Sequence, residues 1–383
     1  LYWTLAPTLI RSALPMDAID GISYGKQLIW GYDRNPYFIG WITELAIQIS
    51  GKEDWSVYLF SQLSVAICFL ATWKLAKNIL PPLQALISVG VLTLVQYYNL
   101  AAIDFNDNVL QLSLWSLMTL YFYHACQNNK ILDWAILGIF SGLAMMTKYL
   151  AIVLLVPMLF FLLINKERRQ LFKSYGIYIS FLIFAVICTP HVFWLFQNEF
   201  LTVVYSKNRV DNVGTSSSHI INAALFVFKI LTAWIIPTLA VLLLCTGSSE
   251  SSDNTKPNNI RHFDKQFIFI IGFGPLVTSL LMSMLFGMNL HLAWAAPFMS
   301  LWGIILLVLI KPNITPRKFY CFMSSLLAIY TLAMPIYSYR KIKSGARSSA
   351  NFPALAIAQS VTQKWHSLYN KKLQYVVGDR WLA

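Results

Sequence analysis

Long apolar segments recur along the whole chain, and this recurrence limits the possible folds more than any other feature. A membrane span needs about 17 to 25 mostly apolar residues. Segments that approach this length are Trp55–Trp73, Leu83–Leu100, Val109–Tyr123, Gly176–Thr189, Ile220–Leu244, Phe267–Gly287, Trp294–Ile310 and Phe319–Tyr337. Shorter apolar segments are Leu1–Ile10, Trp134–Met146 and Leu150–Ile164. The sequence therefore predicts an all-α polytopic membrane protein with about eleven transmembrane helices.

The composition excludes several classes of protein. Of the 383 residues, 57% are hydrophobic and 12% are charged, whereas a soluble domain carries about 25% charged residues. A single water-soluble globule and a disordered chain are both excluded. In a chain this apolar, the net charge of +13 indicates loops held on the cytoplasmic side, and no nucleic-acid partner is predicted.

The loops alternate between basic and acidic. The segments around Lys166–Lys173 and Arg261–Lys265 are basic and therefore cytoplasmic, whereas the loops opposite them carry most of the Asp and Glu residues. The longest outer loop, residues 11–54, contains two amphipathic segments, Ile19–Trp30 and Pro36–Ile49. We expect them to form helices on the outer membrane surface.

The two ends of the sequence suggest a fragment of a longer protein. Residues 1–337 are predicted to form the membrane domain, and the chain becomes polar over residues 338–383. We interpret this tail as the start of a truncated outer α/β domain, with a strand over Leu373–Val377.

Paired carboxylates are the strongest candidates for chemistry. Asp17 and Asp20 follow the first apolar segment and are three residues apart, so a helix starting near Asp17 would place them on one face. Asp104 and Asp107 lie in a short outer loop between two spans, where carboxylates indicate a polar cavity or a bound cation. Helix capping and turn formation are the alternative interpretations.

Basic and aromatic side chains on the same outer side are candidates for binding a phosphate. Lys148, followed by Tyr149, interrupts two apolar segments, and His191 lies near the outer end of another span. Arg34, Lys207 and Arg209 lie in the outer loops. The six His and five Cys residues show no metal-ligand spacing, so no metal site is predicted.

The order of several motifs resembles a known family. These motifs are the outer acidic pair, Gly31-Tyr32-Asp33-Arg34-Asn35-Pro36, Phe105-Asn106-Asp107-Asn108 with Trp115, Gly142 to Tyr149, Pro190-His191-Val192-Phe193-Trp194 and the tail from Phe352. Together they are similar to bacterial GT-C glycosyltransferases related to protein O-mannosyltransferases and to the aminoarabinose transferases of lipid A. Asp20 stands where related sequences often have Glu, and Arg34-Asn35-Pro36-Tyr37 replaces a Lys-His-Pro-Pro stretch.

The resemblance implies an inverting transferase in the bacterial inner membrane whose active site faces the periplasm. It implies a polyprenyl-phosphate sugar as donor, a lipid A or lipopolysaccharide-type glycolipid or a protein as acceptor, and contact with membrane lipids. Asp17 would be the catalytic base, with Asp20 beside it. From their own chemistry and position, the predicted substrate-binding residues are Arg34, Asp104, Asp107, Lys148, Tyr149, His191, Lys207 and Arg209. No cofactor is implied with certainty, and a divalent cation is left open.

Two other functions remain open. An ion-coupled transporter would carry acidic residues within its spans and show repeat symmetry, whereas here the acids lie in outer loops and no repeat is evident. A non-catalytic membrane protein of envelope-polysaccharide assembly would leave Asp17, Asp20 and Lys148 unexplained.

Overall fold

The computed structural model describes residues 2–51, 53–210, 216–246, 260–344, 349–374 and 376. Within these ranges the chain is helical, and the only β-type pairing is an isolated bridge between Gly31 and Pro36. The prediction of an all-helical membrane domain is confirmed. The predicted strand over Leu373–Val377 falls partly outside the described ranges, and Leu373, Gln374 and Val376 have irregular structure.

Seventeen α-helices are described, most of them separated by short turns or 3₁₀ segments. They are α1 (Tyr2–Ile10), α2 (Met16–Gly25), α3 (Phe38–Ile49), α4 (Trp55–Ala76), α5 (Pro82–Leu92), α6 (Asp107–Asn128), α7 (Ile131–Thr147), α8 (Ile152–Leu163), α9 (Lys166–Arg169), α10 (Tyr175–Gln197), α11 (Leu201–Val210), α12 (Ser216–Ala233), α13 (Ile235–Leu243), α14 (His262–Phe286), α15 (Trp302–Ile310), α16 (Pro316–Lys343) and α17 (Ala354–Leu368).

Five helical segments of the described chain are long and apolar enough to cross a membrane, or up to seven if each bent pair counts as one span. The count of eleven stays a prediction, because several of the apolar segments fold as shorter, broken pieces. The segment Leu83–Leu100, for example, ends its α-helix at Leu92 and then bends by 94° into 3₁₀ turns. Broken helices at membrane depth are tolerated where protein or a polar cavity surrounds them.

Helix α6 lies at the centre of the membrane domain and packs against α4 and α7. It is buried almost all round, and Trp115 and Phe122 are among its buried side chains. Helix α10 packs against α7 and exposes Phe181, Phe193 and Phe196 on its other side. Large apolar side chains exposed along a span form the surface that faces lipid.

Helices α2 and α3 occupy the two amphipathic segments of the long outer loop and pack against each other. A Cβ atom on Gly21 would lie only 2.8 Å from Thr43 Oγ1, so the absence of a side chain allows the close approach of the two helices. Two helices form in this loop as predicted, but the first runs over Met16–Gly25 and ends five residues before Trp30, the predicted end. The packing of α2 on α3 sets the direction of the acidic face of α2.

The polar end of the chain begins with a long helix. Helix α16 continues past residue 337 to Lys343, and the exposed helix α17 follows. The division into a domain over 1–337 and a second one from 338 stays a prediction.

Candidate active site

The first two turns of α2 carry Asp17 and Asp20, three residues apart on one face. Both side chains line the same cavity. Neither is fully buried, since Asp17 is exposed and Asp20 is half-buried.

The turn between α2 and α3 brings Arg34 to this carboxylate face. Tyr32 N–H donates to Asn35 O at 3.0 Å and closes the turn. Arg34 Nη1 lies 3.4 Å from Asp20 Oδ2, and Arg34 Nε lies 3.6 Å from Asp33 Oδ2. Its guanidinium also lies 5.7 Å from the centre of the Tyr205 ring. The arginine therefore links α2, its own turn and α11.

A third group of polar side chains comes from the start of α6. Asn106 caps this helix, because its Oδ1 accepts hydrogen bonds from the backbone N–H groups of Asn108 and Val109 at 3.0 and 3.1 Å. Its Nδ2 donates to Asp17 Oδ2 at 3.2 Å. Asp107 and Asn108 follow in the first turn and point toward α7.

Lys148 completes the cationic side of the cavity. It lies at the carboxyl end of α7 in extended backbone, where the apolar segment is interrupted. Its Nζ lies 3.0 Å from Asp107 Oδ2, donates to Asn108 Oδ1 at 2.8 Å, and lies 4.9 Å from the ring centre of Trp294. The interruption in the sequence thus places a lysine beside two side chains of α6.

All of these groups surround one cavity of about 930 Å³. Its wall contains polar and charged side chains as well as aromatic and apolar ones. The lining residues are Asp17, Asp20, Gly21, Tyr24, Arg34, Asn35, Pro36, Ile39, Asn106, Asp107, Asn108, Lys148, Tyr149, Leu150, Ile152, Tyr205, Ser206, Met282, Met288, Asn289, His291, Ala293 and Trp294.

Burial raises the pKa of the acidic side chains here. Desolvation raises the pKa of Asp17, and the neighbouring Asp107 carboxylate adds to the effect, whereas Asn106, Lys148 and Arg34 lower it. Desolvation also raises the pKa of Asp20 to about 6, against the opposing effect of Arg34. A carboxylate with a raised pKa is a better proton acceptor, which is the property a general base needs.

Tyr149 and His191 form a supporting pair beside the cavity. His191 Nδ1 donates to Trp30 O at 2.6 Å, because a carbonyl can only accept. Its Nε2 is then the acceptor for the Tyr149 hydroxyl at 2.5 Å. Tyr149 lines the cavity, whereas His191 is buried and does not. The histidine thus holds the tyrosine from behind.

Two other predicted site residues, Asp104 and Lys207, do not line the cavity. Asp104 lies next to Asp17 but outside the lining, and its Oδ1 is buried without a hydrogen-bond partner among the described residues. Lys207 is exposed on α11. Arg209 lies in the same helix, but its side chain is outside the described part of the structure.

Several cavity residues did not emerge as candidates from the sequence. Asn106 and Asn108 were visible as parts of a motif, yet their amides gave no sign of which side chains they contact. Tyr205 and Trp294 come from segments far apart in the chain, and only the fold brings them opposite Arg34 and Lys148.

The described residues contain no group of three or more His, Cys, Asp or Glu side chains placed to hold a metal ion. The cations that face the cavity carboxylates are Arg34 and Lys148. A divalent cation, left open by the sequence, therefore stays untested.

Comparison with known proteins finds sequence similarity over the region that carries several of the cavity residues. Residues 34–194 match the family described as dolichyl-phosphate-mannose-protein mannosyltransferase. The matched region includes Arg34, Asp107, Lys148 and His191. The lipopolysaccharide core galacturonosyltransferase RgtA of Rhizobium johnstonii is 21% identical over 193 residues, which are 50% of this chain and 38% of RgtA. The lipid A galacturonosyltransferase RgtD of the same organism is 24% identical over 189 residues, 48% of this chain and 39% of RgtD.

The fold also matches a solved structure. ArnT from Cupriavidus metallidurans, bound to undecaprenyl phosphate, superposes with a TM-score of 0.61 at 13% identity, over 86% of this chain and 61% of ArnT. The chain thus resembles the bacterial GT-C glycosyltransferases in sequence and in fold, as the sequence motifs predicted. The relatives named as glycosyltransferases support the predicted enzyme class. The chain spans less than two thirds of the length of these relatives.

Proposed function

We propose that this GT-C relative forms the membrane part of an inverting glycosyltransferase. It would transfer a sugar from a polyprenyl-phosphate donor to a glycolipid acceptor of the lipid A or lipopolysaccharide type. The named relatives act on lipid A and lipopolysaccharide core, and the structural neighbour was solved with undecaprenyl phosphate. A protein acceptor remains an outcome of the test below.

One observation carries this proposal. Carboxylates and cations line a single cavity: Asp17 and Asp20 lie on α2, while Arg34 and Lys148 reach the same cavity from other elements. Sugar transfer from a phosphate needs a base for the acceptor and positive charge for the leaving group. The cavity holds both.

The reaction follows from these positions. An acceptor hydroxyl attacks the anomeric carbon from the face opposite the phosphate, so that a new C–O bond forms while the bond to the phosphate oxygen breaks. Asp17 takes the hydroxyl proton. The electron pair of the broken bond leaves with the polyprenyl phosphate, and Lys148 and Arg34 stabilise its charge. A single displacement of this kind inverts the anomeric configuration.

The cavity wall suits a substrate that combines an apolar prenyl chain with a polar sugar. Leu150, Ile152, Met282 and Met288 form an apolar side suited to a prenyl chain. The indole of Trp294 offers a flat surface beside Lys148, on which a sugar ring could stack. The polar amides and hydroxyls on the other side can hydrogen-bond to sugar hydroxyl groups.

The proposal includes an orientation in the bacterial inner membrane. By the positive-inside rule the basic loops would lie in the cytoplasm, and the cavity would then face the periplasm. A lipid-linked donor would then enter sideways from the bilayer, and the acceptor would come from the outer leaflet.

Transfer in reconstituted membranes tests the proposal. The full-length protein in lipid nanodiscs would be given labelled undecaprenyl-phosphate sugars together with a lipid A-type acceptor or membrane protein. We expect label to move to the glycolipid with wild-type protein and not with Asp17→Asn. Label found only on protein would identify the acceptor as a protein and not as a glycolipid. Absence of transfer to either acceptor would favour transport or polysaccharide assembly.

A further inference from the structure

The side-chain amide of Asn106 is held in one orientation by the helix that it caps. Its Oδ1 accepts two hydrogen bonds, from the N–H groups of Asn108 and Val109 at 3.0 and 3.1 Å. An amide NH₂ group cannot accept these bonds, so the oxygen must face α6 and the nitrogen must face away from it.

The nitrogen end of this amide faces Asp17. Nδ2 lies 3.2 Å from Asp17 Oδ2 and donates to it. The fixed NH₂ group donates more strongly to an ionised carboxylate than to the carbonyl oxygen of a protonated acid, and it cannot accept from the O–H of that acid. The cap of one helix therefore favours the ionised form of a carboxylate on another.

Several charged groups around Asp17 act on its pKa in opposite directions, so a single hydrogen bond to its carboxylate affects how far it is ionised. Burial and the Asp107 carboxylate raise its pKa, and Lys148 and Arg34 lower it together with the Asn106 amide. Asp20 on the same helix and Asp104 from the adjacent turn also face Asp17. Of the groups that favour the ionised form, Asn106 makes the hydrogen bond to the carboxylate.

We propose that Asn106 is a positioning residue that keeps Asp17 ionised and directed into the cavity, and that its role as the cap of α6 supplies the required orientation. This inference rests on the proposed function, in which Asp17 accepts the proton of the acceptor hydroxyl. It assigns to the Phe105-Asn106-Asp107-Asn108 motif a second task besides starting a helix.

Two substitutions separate the two tasks. Asn, Asp and Ser are comparable helix caps, so Asn106→Ser and Asn106→Asp both keep the start of α6. Asn106→Ser removes the amide donor, and Asn106→Asp places a second carboxylate against Asp17. We expect the acid limb of the pH–rate profile to move to higher pH in Asn106→Ser and further in Asn106→Asp. The transfer rate at pH 7 should fall about tenfold in the first, which is typical of losing a hydrogen bond to a charged group, and more in the second.

If Asn106 only caps α6, the variants should differ in another way in transfer rate and pH profile. The Asn106→Asp variant would then match the wild type in both rate and pH profile, and that result would overturn the inference. Asn165 is a suitable control because it caps α9 through its side chain and lies outside the cavity. Asn165→Ala should leave the pH profile of transfer unchanged.

A second measurement does not depend on transfer. Carbodiimides react with protonated carboxyl groups, so the pH at which Asp17 is half labelled, read by mass spectrometry, reports its ionisation. We expect this pH to rise in the order wild type, Asn106→Ser, Asn106→Asp. If transfer is absent but the order holds, the proposed function fails and the effect of Asn106 on Asp17 stands. If transfer occurs and the three proteins label alike, the effect of Asn106 fails instead.

Discussion

Lys148 Nζ lies 3.0 Å from Asp107 Oδ2, so the last turn of one apolar helix is tied to the first turn of another. Both side chains are largely hidden, with 17% and 13% of their surfaces exposed. An ion pair with so little solvent is screened weakly by salt. It leaves the ammonium group at the cavity wall, beside Trp294, where a phosphate can reach it.

Removing the cation of this pair should abolish most of the activity. In Lys148→Met the Asp107 carboxylate loses its partner and the leaving phosphate loses a positive charge. We expect transfer to fall by about 10²–10³-fold, the effect of deleting one stabilising donor of a transition state. Lys148→Arg should retain part of the rate. Transfer assays with labelled donor measure this.

The control for Lys148 lies at the other end of α7. Lys130 is exposed in the loop before α7, and Lys130→Met should transfer at the wild-type rate. A Lys148→Met protein that folds normally and retains half of the wild-type rate would remove Lys148 from the mechanism.

Asp17→Asn should lose the base while keeping the shape of the side chain. A general base contributes about 10²–10⁴-fold to a rate, and we expect a loss within this range in single-turnover assays. Donor binding should change little, because the phosphate contacts come from other residues. The exposed Glu53 provides the comparison, and Glu53→Gln should be fully active. Equal rates for Asp17→Asn and wild type would mean that another carboxylate is the base.

The helical membrane domain and its acidic pair could be predicted because both depend on local composition. Apolar segments of span length, basic loops and an Asp pair at helical spacing are all visible along the chain. The broken spans were harder, because a bend such as the one after Leu92 depends on what surrounds the freed backbone groups. The number of spans therefore cannot be counted from hydropathy alone.

The candidate site was predicted in part: the charged residues were identified from the sequence, and most of the neutral ones were not. Charged side chains at unusual positions, such as Asp17 and Lys148, stand out against an apolar sequence. Neutral side chains such as Asn106 and Tyr205 are common in any loop, and their place in the cavity depends on tertiary contacts. His191 stood out by its type, yet the structure places it behind Tyr149.

Asp104 should lower the stability of the protein at neutral and alkaline pH. Burial, with a contribution from Asp17, raises its pKa from 3.8 to about 7. Between these values the folded protein keeps a proton that the unfolded chain releases, so stability falls as the pH rises from about 4 to about 7. Asp104→Asn avoids this loss. We expect it to be more stable than wild type at pH 8, by on the order of 2 kcal/mol, and equal at pH 4.

Thermal unfolding in detergent between pH 4 and pH 9 measures the Asp104 effect. The exposed Glu199 serves as control, since Glu199→Gln should follow the wild-type curve at every pH. A constant difference between Asp104→Asn and wild type across this range would mean that the carboxyl group does not titrate on unfolding. The explanation would then have to be packing.

His191 should act on transfer only through Tyr149. His191→Phe removes the acceptor for the Tyr149 hydroxyl and the donor to Trp30 O, while a ring still packs against Trp194. We expect a stability loss of about 1 kcal/mol, since two partly buried polar groups lose their partner, and a several-fold slower transfer. Tyr149→Phe should slow transfer to a similar degree. Because both changes break the same hydrogen bond, the double variant should be about as slow as either single variant. A double-mutant cycle on the transfer rate measures the coupling, and fully additive effects would show that His191 contributes independently of Tyr149.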